Sequence, residues 1–222
     1  MAWSKPNAMA RIREIGVIPI LRLPSTEEVW QVARALGDTG VGIVEITMGV
    51  PDALDIVERL VSHFGDTVLV GVGTVTEAET CRAAVAAGAQ FIVAPNFDQR
   101  VVDVARASDK VCIPGALTPT EVVTAWRGGA DMVKIFPCGL VGGAQYIRAL
   151  RGPLPQIELV PTGGISLGTV SAFVHAGVAA VGVGGELLPN GPIDSAGIAH
   201  VCVAVRKFLD MVRSARTAKI AP

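Results

Sequence analysis

The chain alternates eight times between short runs of β-branched apolar residues and longer segments whose apolar residues recur at helical spacing. The short runs predict strands that are buried on both faces, and the segments between them predict crossover helices. Strands that are each followed by a crossover helix pair in parallel. The eight predicted strand runs are residues 16–23, 41–48, 67–75, 89–97, 110–118, 131–137, 157–164 and 178–185.

The predicted helices carry signals at their ends. In residues 25–40, Ser25 is the expected N-cap, and Glu28 would complete a capping box. The segments that begin at Thr76 and Thr118 repeat this plan, with a hydroxyl cap, early acidic residues and a glycine at the end.

Eight strand–helix units in 222 residues fit an α/β fold of the (β/α)8 TIM-barrel type. A doubly wound open sheet is the alternative, but the residues after the first strand, ILRLPSTEE, lack the glycine motif that usually binds a nucleotide there. We therefore predict a single barrel domain over residues 1–222. Residues 1–14 form an N-terminal lead-in helix or cap, and residues 193–216 form the last helix.

Composition and charge narrow the range of partners. Half of the residues are apolar, the net charge is −1, and Lys and Arg form no run. The chain thus lacks the concentrated positive field that nucleic acids or membrane surfaces need, and we expect neither as a partner. It has no apolar stretch near ~18 residues, and its four cysteines form no C-x-x-C pair, so we expect a cytoplasmic protein.

Lys134 is the first candidate for chemistry, because active sites of barrels lie at the C-terminal ends of the strands. Strand alternation places Met132, Lys134 and Phe136 on the interior face. Burial disfavours the charged form of an amine, and a neutral amine attacks ketones to form a Schiff base. The alternative is a lysine that closes an interior salt bridge.

Glu45 is interior by the same alternation, and two interpretations remain open for it. It can be a buried ion-pair partner of Lys134, which would indicate little about function. It can also be the acid/base that a Schiff-base cycle requires, moving protons to and from a carbinolamine oxygen. The second interpretation accounts for more of the sequence.

Three glycine-rich strand ends, residues 71–75, 161–166 and 182–186, offer bare backbone N–H groups. In barrels, the loops after strands seven and eight commonly bind phosphate, so the last two segments indicate a phosphate site. A tight turn without a ligand is the alternative.

The histidines indicate no metal site. His63, His175 and His200 fall in predicted helices, and none is spaced as a metal ligand. We therefore predict a metal-free enzyme.

Several strand ends together carry a family resemblance that runs from about Ile15 to Leu188. The chain resembles the 2-keto-3-deoxy-6-phosphogluconate aldolase family, which includes 4-hydroxy-2-oxoglutarate aldolases. The motifs that carry the resemblance, in order, are VEITM with Glu45, GVGTV with Thr74, FIVAPNFD with Pro95, IPGALTPTE, VKIFP with Lys134 and PTGGIS with Thr162.

The resemblance implies a barrel that forms homotrimers and uses no metal or organic cofactor. It implies a class I retro-aldol cleavage of a 2-keto acid, with or without phosphate, to pyruvate and an aldehyde. Lys134 would be the Schiff-base lysine, and Glu45 the proton-transfer residue.

The resemblance also implies a set of substrate-binding residues. Thr74 would help to hold the pyruvate carboxylate, and Thr162 would lie against the electrophile. The phosphate end would contain Gly163, Gly164, Gly184 and Gly185, together with Arg22 as a basic residue. The full predicted set is Arg22, Thr74, Pro95, Phe136, Thr162, Gly163, Gly164, Gly184, Gly185 and Glu186.

Two positions depart from the family pattern. Gly49 stands where several members carry an arginine for the substrate carboxylate, and Glu186 stands where many carry a serine beside the phosphate. A carboxylate that points inward there would repel a phosphate dianion, whereas one that points outward would change nothing. We expect an altered or relaxed substrate preference. The alternatives left open are a relative acting on an unphosphorylated 2-keto acid, a phosphosugar isomerase or epimerase, and a barrel without enzymatic activity.

Overall fold

The computed structural model describes residues 3–189 and 193–218. The strands are β1 (Val17–Leu21), β2 (Ile43–Thr47), β3 (Leu69–Gly73), β4 (Phe91–Val93), β5 (Val111–Ile113), β6 (Gly115–Ala116), β7 (Val133–Ile135), β8 (Leu159–Pro161) and β9 (Val181–Val183). The α-helices are α1 (Lys5–Ile15), α2 (Thr26–Asp38), α3 (Ala53–Phe64), α4 (Ala78–Ala86), α5 (Gln99–Ala107), α6 (Pro119–Arg127), α7 (Gly143–Arg151), α8 (Val170–His175) and α9 (Ser195–Thr217). Two 3₁₀ helices, Cys138–Val141 and Gly185–Leu187, follow β7 and β9.

The strands pair in parallel in chain order and curl into a barrel of the TIM type. One sheet has the order β5-β4-β3-β2-β1-β9, the other the order β6-β7-β8, and a bridge between Thr162 and Gly182 joins β8 to β9. β5 and β6 are two parts of the fifth barrel strand, separated by Pro114, which has no N–H to donate. Because β9 pairs with β1, the first and last strands are neighbours. The barrel prediction is confirmed, and the open doubly wound sheet is wrong.

The strands separate two apolar layers, as the alternation predicts. Val44 and Val133 belong to the outer layer between strands and helices. Ile43, Phe91 and Met132 belong to the inner layer that fills the barrel. Residues of opposite parity on one strand therefore face opposite layers.

Helix α1 closes the N-terminal end of the barrel, which confirms the predicted lead-in helix. Its Ala8 and Ile12 join the inner apolar layer. Lys5 pairs with Asp131 at 2.9 Å, just before β7, and the guanidinium of Arg13 donates to Glu158 beside β8 through two bonds of 2.7 Å. The opposite end, where the strands finish, is left for the site.

The helix caps match the expectations in part. Thr118 and Glu121 form a complete capping box at α6. Ser25 caps α2 by accepting from the Glu28 N–H, but the Glu28 side chain does not return the bond, and its Oε2 is buried without a partner. At α4 the N-cap is Glu77, without a side-chain bond, so the expected Thr76 cap is wrong.

None of the helices in the described part of the chain combines the length and apolarity that a membrane crossing needs.

Candidate active site

Lys134 and Glu45 both lie inside the barrel, 7 % and 2 % exposed. Lys134 on β7 is level with Gly115 on β6 and Val160 on β8. Glu45 on β2 is level with Ile20 on β1 and Gly71 on β3. The inward placement predicted from strand parity is therefore observed for both side chains.

Burial drives both groups toward their neutral forms. It lowers the pKa of Lys134, and the charge of Arg22 lowers it further, while Glu45 acts in the opposite direction. Burial raises the pKa of Glu45 against the opposing charges of Lys134 and Arg22. The ion pairs of the described residues do not include one between Lys134 and Glu45. The arrangement favours an amine that can act as a nucleophile over a structural salt bridge.

The Glu45 carboxyl group occupies space that Gly73 leaves open. A Cβ on Gly73 would come within 1.8 Å of Glu45 Oε1. Real Cβ atoms do not approach that closely, so any side chain at this position would displace the carboxyl group. Glycine is therefore required at the end of β3 for Glu45 to keep its orientation.

Phe136 forms a wall of the site beside Lys134. Its ring centre is 5.1 Å from Lys134 Nζ, and its ring edge lies 3.4 Å from the position of a Cβ on Gly163. The Phe136–Pro137 peptide bond is cis. Phe136 and Pro95 also line a neighbouring cavity of about 350 Å³. Pro95 and Phe136, which the sequence predicts as substrate-binding residues, therefore both lie at this end of the barrel.

Arg22 reaches toward Thr74, not toward the glycine-rich loops as the resemblance implies. Its Nη2 donates to Thr74 Oγ1 at 3.4 Å. Arg22 follows β1 and Thr74 follows β3, so the side chain crosses the end of β2, which lies between them. A Cβ on Gly49, just past β2, would come within 4 Å only of Thr47 Oγ1, at 3.9 Å. Arg22 therefore brings a cation to the region where position 49 lacks one.

Thr74 holds an unusual backbone conformation. Its φ is 63°, in the left-handed region that β-branched residues rarely adopt. Such strain costs about 1–3 kcal/mol and is concentrated at ligand-binding sites.

The glycine-rich loops after β8 and β9 lie on neighbouring strand ends. Thr162 is 8 % exposed, and its Oγ1 packs against Gly182. Gly163 and Gly164 have φ of 83° and 77°, and within the described ranges their N–H groups donate to no protein group. Gly184, Gly185 and Glu186 follow β9, and the Glu186 side chain is exposed.

Two residues matter to the site more than the sequence alone indicated. Gly73 accommodates the Glu45 carboxyl group, which no sequence signal reveals. Thr47 is fully buried on the interior face two residues after Glu45, and strand parity does place it there. In the described part of the chain, no cluster of three or more His, Cys, Asp or Glu could hold a metal ion.

A buried amine and a buried carboxyl group at the strand ends of a parallel barrel are the groups that an aldolase of the Schiff-base class uses, and aldolases are lyases. Residues 8–203 match the family model described as KDPG and KHG aldolase. The chain belongs to the KDPG and KHG aldolase family.

The chain is similar in sequence and structure to known proteins over most of its length. The 2-dehydro-3-deoxy-phosphogluconate aldolase of Treponema pallidum (strain Nichols) is 35 % identical over 207 residues, covering 93 % of this chain and 96 % of the relative. A KDPG aldolase from Legionella pneumophila, solved with pyruvate captured at low pH as a covalent carbinolamine intermediate, is 28 % identical with a TM-score of 0.81, covering 89 % of this chain and 96 % of that one. A cube-shaped protein cage, designed by fusing symmetric oligomeric domains, is 32 % identical with a TM-score of 0.83, covering 91 % of this chain and 73 % of that one.

Proposed function

We propose that the protein reversibly cleaves a 2-keto-3-deoxy sugar acid of the 6-phosphogluconate type, or 4-hydroxy-2-oxoglutarate, to pyruvate and an aldehyde. Lys134 is the Schiff-base lysine and Glu45 the proton-transfer residue. The observation that carries this proposal is a 7 % exposed lysine whose pKa burial lowers, facing a 2 % exposed carboxyl group. The covalent pyruvate intermediate in the Legionella relative supports it.

The chemistry follows from these two groups. The Lys134 lone pair attacks the C2 carbonyl of the keto acid, and Glu45 donates a proton to the carbinolamine oxygen, which leaves as water. In the resulting iminium ion, the C3–C4 bond breaks, and its electrons form an enamine with the iminium nitrogen. The Glu45 carboxylate accepts the C4 hydroxyl proton as the aldehyde forms. Protonation at C3 and hydrolysis of the imine then release pyruvate and free Lys134.

Arg22 and Thr74 are the proposed carboxylate-binding residues. A guanidinium forms strong charge-assisted hydrogen bonds with a carboxylate, and Arg22 is already directed to Thr74 at this end. Because Arg22 crosses the end of β2, it takes the part that an arginine at Gly49 would otherwise play.

The opposite end of the substrate lies, in this proposal, on the glycine-rich loops. The free N–H groups of Gly163 and Gly164 suit an anion such as phosphate, and Gly184 and Gly185 lie on the adjacent strand end. Thr162 lies against the aldehyde carbon, while Pro95 and Phe136 form the apolar wall. Glu186 is exposed at this end, where water screens its charge from a bound phosphate.

A panel of 2-keto-3-deoxy sugar acids, with and without phosphate, tests the proposal. Pyruvate release is followed by coupling to lactate dehydrogenase. We expect turnover by the native protein and a loss of at least about 10³-fold in Lys134→Met, because no other described amine occupies the barrel interior. Lys207→Met, on the exposed face of α9, is the matched control. Pyruvate release that survives in Lys134→Met would contradict the assigned role of Lys134. Loss of substrate without pyruvate release, unchanged in Lys134→Met, would favour an isomerase or epimerase instead.

We further propose that the protein is a homotrimer. Leu140, Val141 and Trp126 are 87 %, 36 % and 43 % exposed, and burial of this apolar surface between subunits would favour assembly. The similarity to a chain in a cage of fused oligomeric domains also supports assembly. Light scattering should give three times the chain mass, and Leu140→Glu should reduce it to that of one chain; a native protein of single-chain mass would contradict the trimer.

The proposal also includes a single domain over residues 1–222 and a cytoplasmic location. Helices α1 and α9 both pack on the same barrel, which supports one domain. Residues 1–2, 190–192 and 219–222 lie outside the described residues.

A further inference from the structure

Thr47, the last residue of β2, has a buried hydroxyl group without a partner. The residue is fully buried, and its Oγ1 forms no hydrogen bond within the described part of the chain. The other buried side-chain atoms in this condition belong to Trp3, Arg11 and Glu28, which lie on the N-terminal segment, α1 and α2. Thr47 thus differs from them because it lies on an interior strand face. Buried hydroxyl groups normally have partners, so one is expected here.

A candidate partner is the carboxyl group of Glu45. Thr47 is level with Gly73 on the neighbouring strand β3, and the Glu45 Oε1 lies in the space of the missing Gly73 side chain. Paired strands lie about 4.8 Å apart, so the hydroxyl and the carboxyl group occupy adjacent places in one row across β2 and β3.

We propose that the Thr47 hydroxyl donates a hydrogen bond to the Glu45 carboxylate during turnover and thereby positions the group that moves the protons. Thr47 is then a positioning residue, and the inference rests on the proposed aldolase function. In the structure this bond is not formed. Hydrogen bonds of catalytic groups often close only when substrate is bound.

The charges that face Glu45 determine how loss of this hydrogen bond would appear in the pKa of its carboxyl group. Lys134 approaches from β7 and Arg22 from the end of β1, while β3 contributes only Gly71 and Gly73 at these levels. Once Lys134 has become part of an imine, it no longer titrates as an amine. A donor to the carboxylate favours its charged form, so loss of the Thr47 hydroxyl should raise the pKa of Glu45.

The test follows exchange of the pyruvate methyl protons with D₂O by NMR at saturating pyruvate, across pH. This reaction passes through the pyruvate imine, and Glu45 accepts the C3 proton as the enamine forms. In Thr47→Val, which keeps the volume but removes the donor, we expect the acid-side midpoint of kcat to rise by about one pH unit. We also expect the plateau value of kcat, above this midpoint, to fall about tenfold. Thr47→Ser, which keeps the donor, should retain both values of the native protein.

A packing role predicts the opposite order. Valine would then preserve activity and midpoint, and serine, which leaves a cavity of one methyl group, would be the damaged variant. Such a result would overturn the inference about Thr47.

Borohydride reduction with pyruvate, followed by mass spectrometry, is performed first on the native protein and on both variants. If the native protein forms an adduct on Lys134, but valine at position 47 preserves activity and serine damages it, only the inference about Thr47 is overturned. The absence of an adduct in the native protein overturns the proposed function and this inference together.

Discussion

At the residue scale, the site consists of two titratable groups that burial drives toward neutrality. In the proposed reaction a charged lysine would be a poor nucleophile, so the apolar surroundings that lower the pKa of Lys134 would favour its reactive form. Strand parity is sufficient to place Lys134 and Glu45 inside the barrel. It does not reveal the direction of Arg22, since a side chain of that length can lean across either neighbouring strand.

The orientation of Glu45 depends on the absence of a side chain at Gly73. In Gly73→Ala, the new Cβ would displace the carboxyl group, because only 1.8 Å separates their positions. We expect kcat for aldol cleavage to fall by about 100-fold. Gly152→Ala is the control and should keep native kcat. Gly152 lies just past the end of α7, and the atoms nearest to its new Cβ would be 3.6 Å and 3.8 Å away. Native turnover in Gly73→Ala would contradict the assigned position of Glu45.

Arg22 should act on substrate binding. In Arg22→Gln, KM for the keto acid should rise about tenfold to a hundredfold because a charge-assisted bond is lost. The same change removes a charge that lowers the pKa of Lys134, so the acid limb of kcat/KM should move to higher pH. Steady-state kinetics across pH measures both effects.

Arg206→Gln, on an exposed position of α9, is the matched control for loss of one positive charge. An unchanged KM in Arg22→Gln would remove Arg22 from the carboxylate site.

At the element scale, hydrophobic periodicity predicted the strands and helices because each element buries an apolar face. Local exceptions followed from single residues. Pro114 divides the fifth barrel strand, and Thr74 adopts a left-handed φ that its residue type does not favour. Periodicity reveals neither exception. The break at Pro114 follows from its missing N–H, and the left-handed φ of Thr74 is held by the structure around it.

Helix α1 should contribute stability without contributing chemistry. Ile12 is fully buried at the N-terminal end of the barrel, so Ile12→Ala should lower the free energy of unfolding by about 2–5 kcal/mol. Urea unfolding followed by circular dichroism measures the change. Val203→Ala, at a 49 % exposed position on α9, should be nearly neutral. Loss of kcat in folded Ile12→Ala would show that α1 acts on the site.

At the scale of the whole molecule, the site reduces stability. The folded pKa of Lys134 lies below its ordinary 10.5, so the unfolded chain binds more protons between these values and stability rises with pH in that window. The folded pKa of Glu45 lies above its ordinary 4.5, so the stability that its protonated form contributes is lost as pH rises from 4.5 through the folded value. Both groups therefore cost stability near neutral pH.

Replacing both groups should stabilise the protein and abolish its activity. In the double variant Lys134→Met with Glu45→Gln, we expect the free energy of unfolding at pH 7 to rise by about 1–4 kcal/mol. Urea denaturation at pH 7 checks the value. The exposed pair Lys207→Met with Glu79→Gln controls for loss of two charges. A destabilised double variant would mean that Lys134 and Glu45 support the fold as a pair.

The most direct test of the central claim is reduction of the protein with borohydride in the presence of pyruvate, followed by peptide mass spectrometry. The Schiff-base assignment predicts a stable adduct with the mass of a reduced pyruvate imine on Lys134, and none in Lys134→Met. An unmodified Lys134, under conditions in which a control aldolase is trapped, would contradict it.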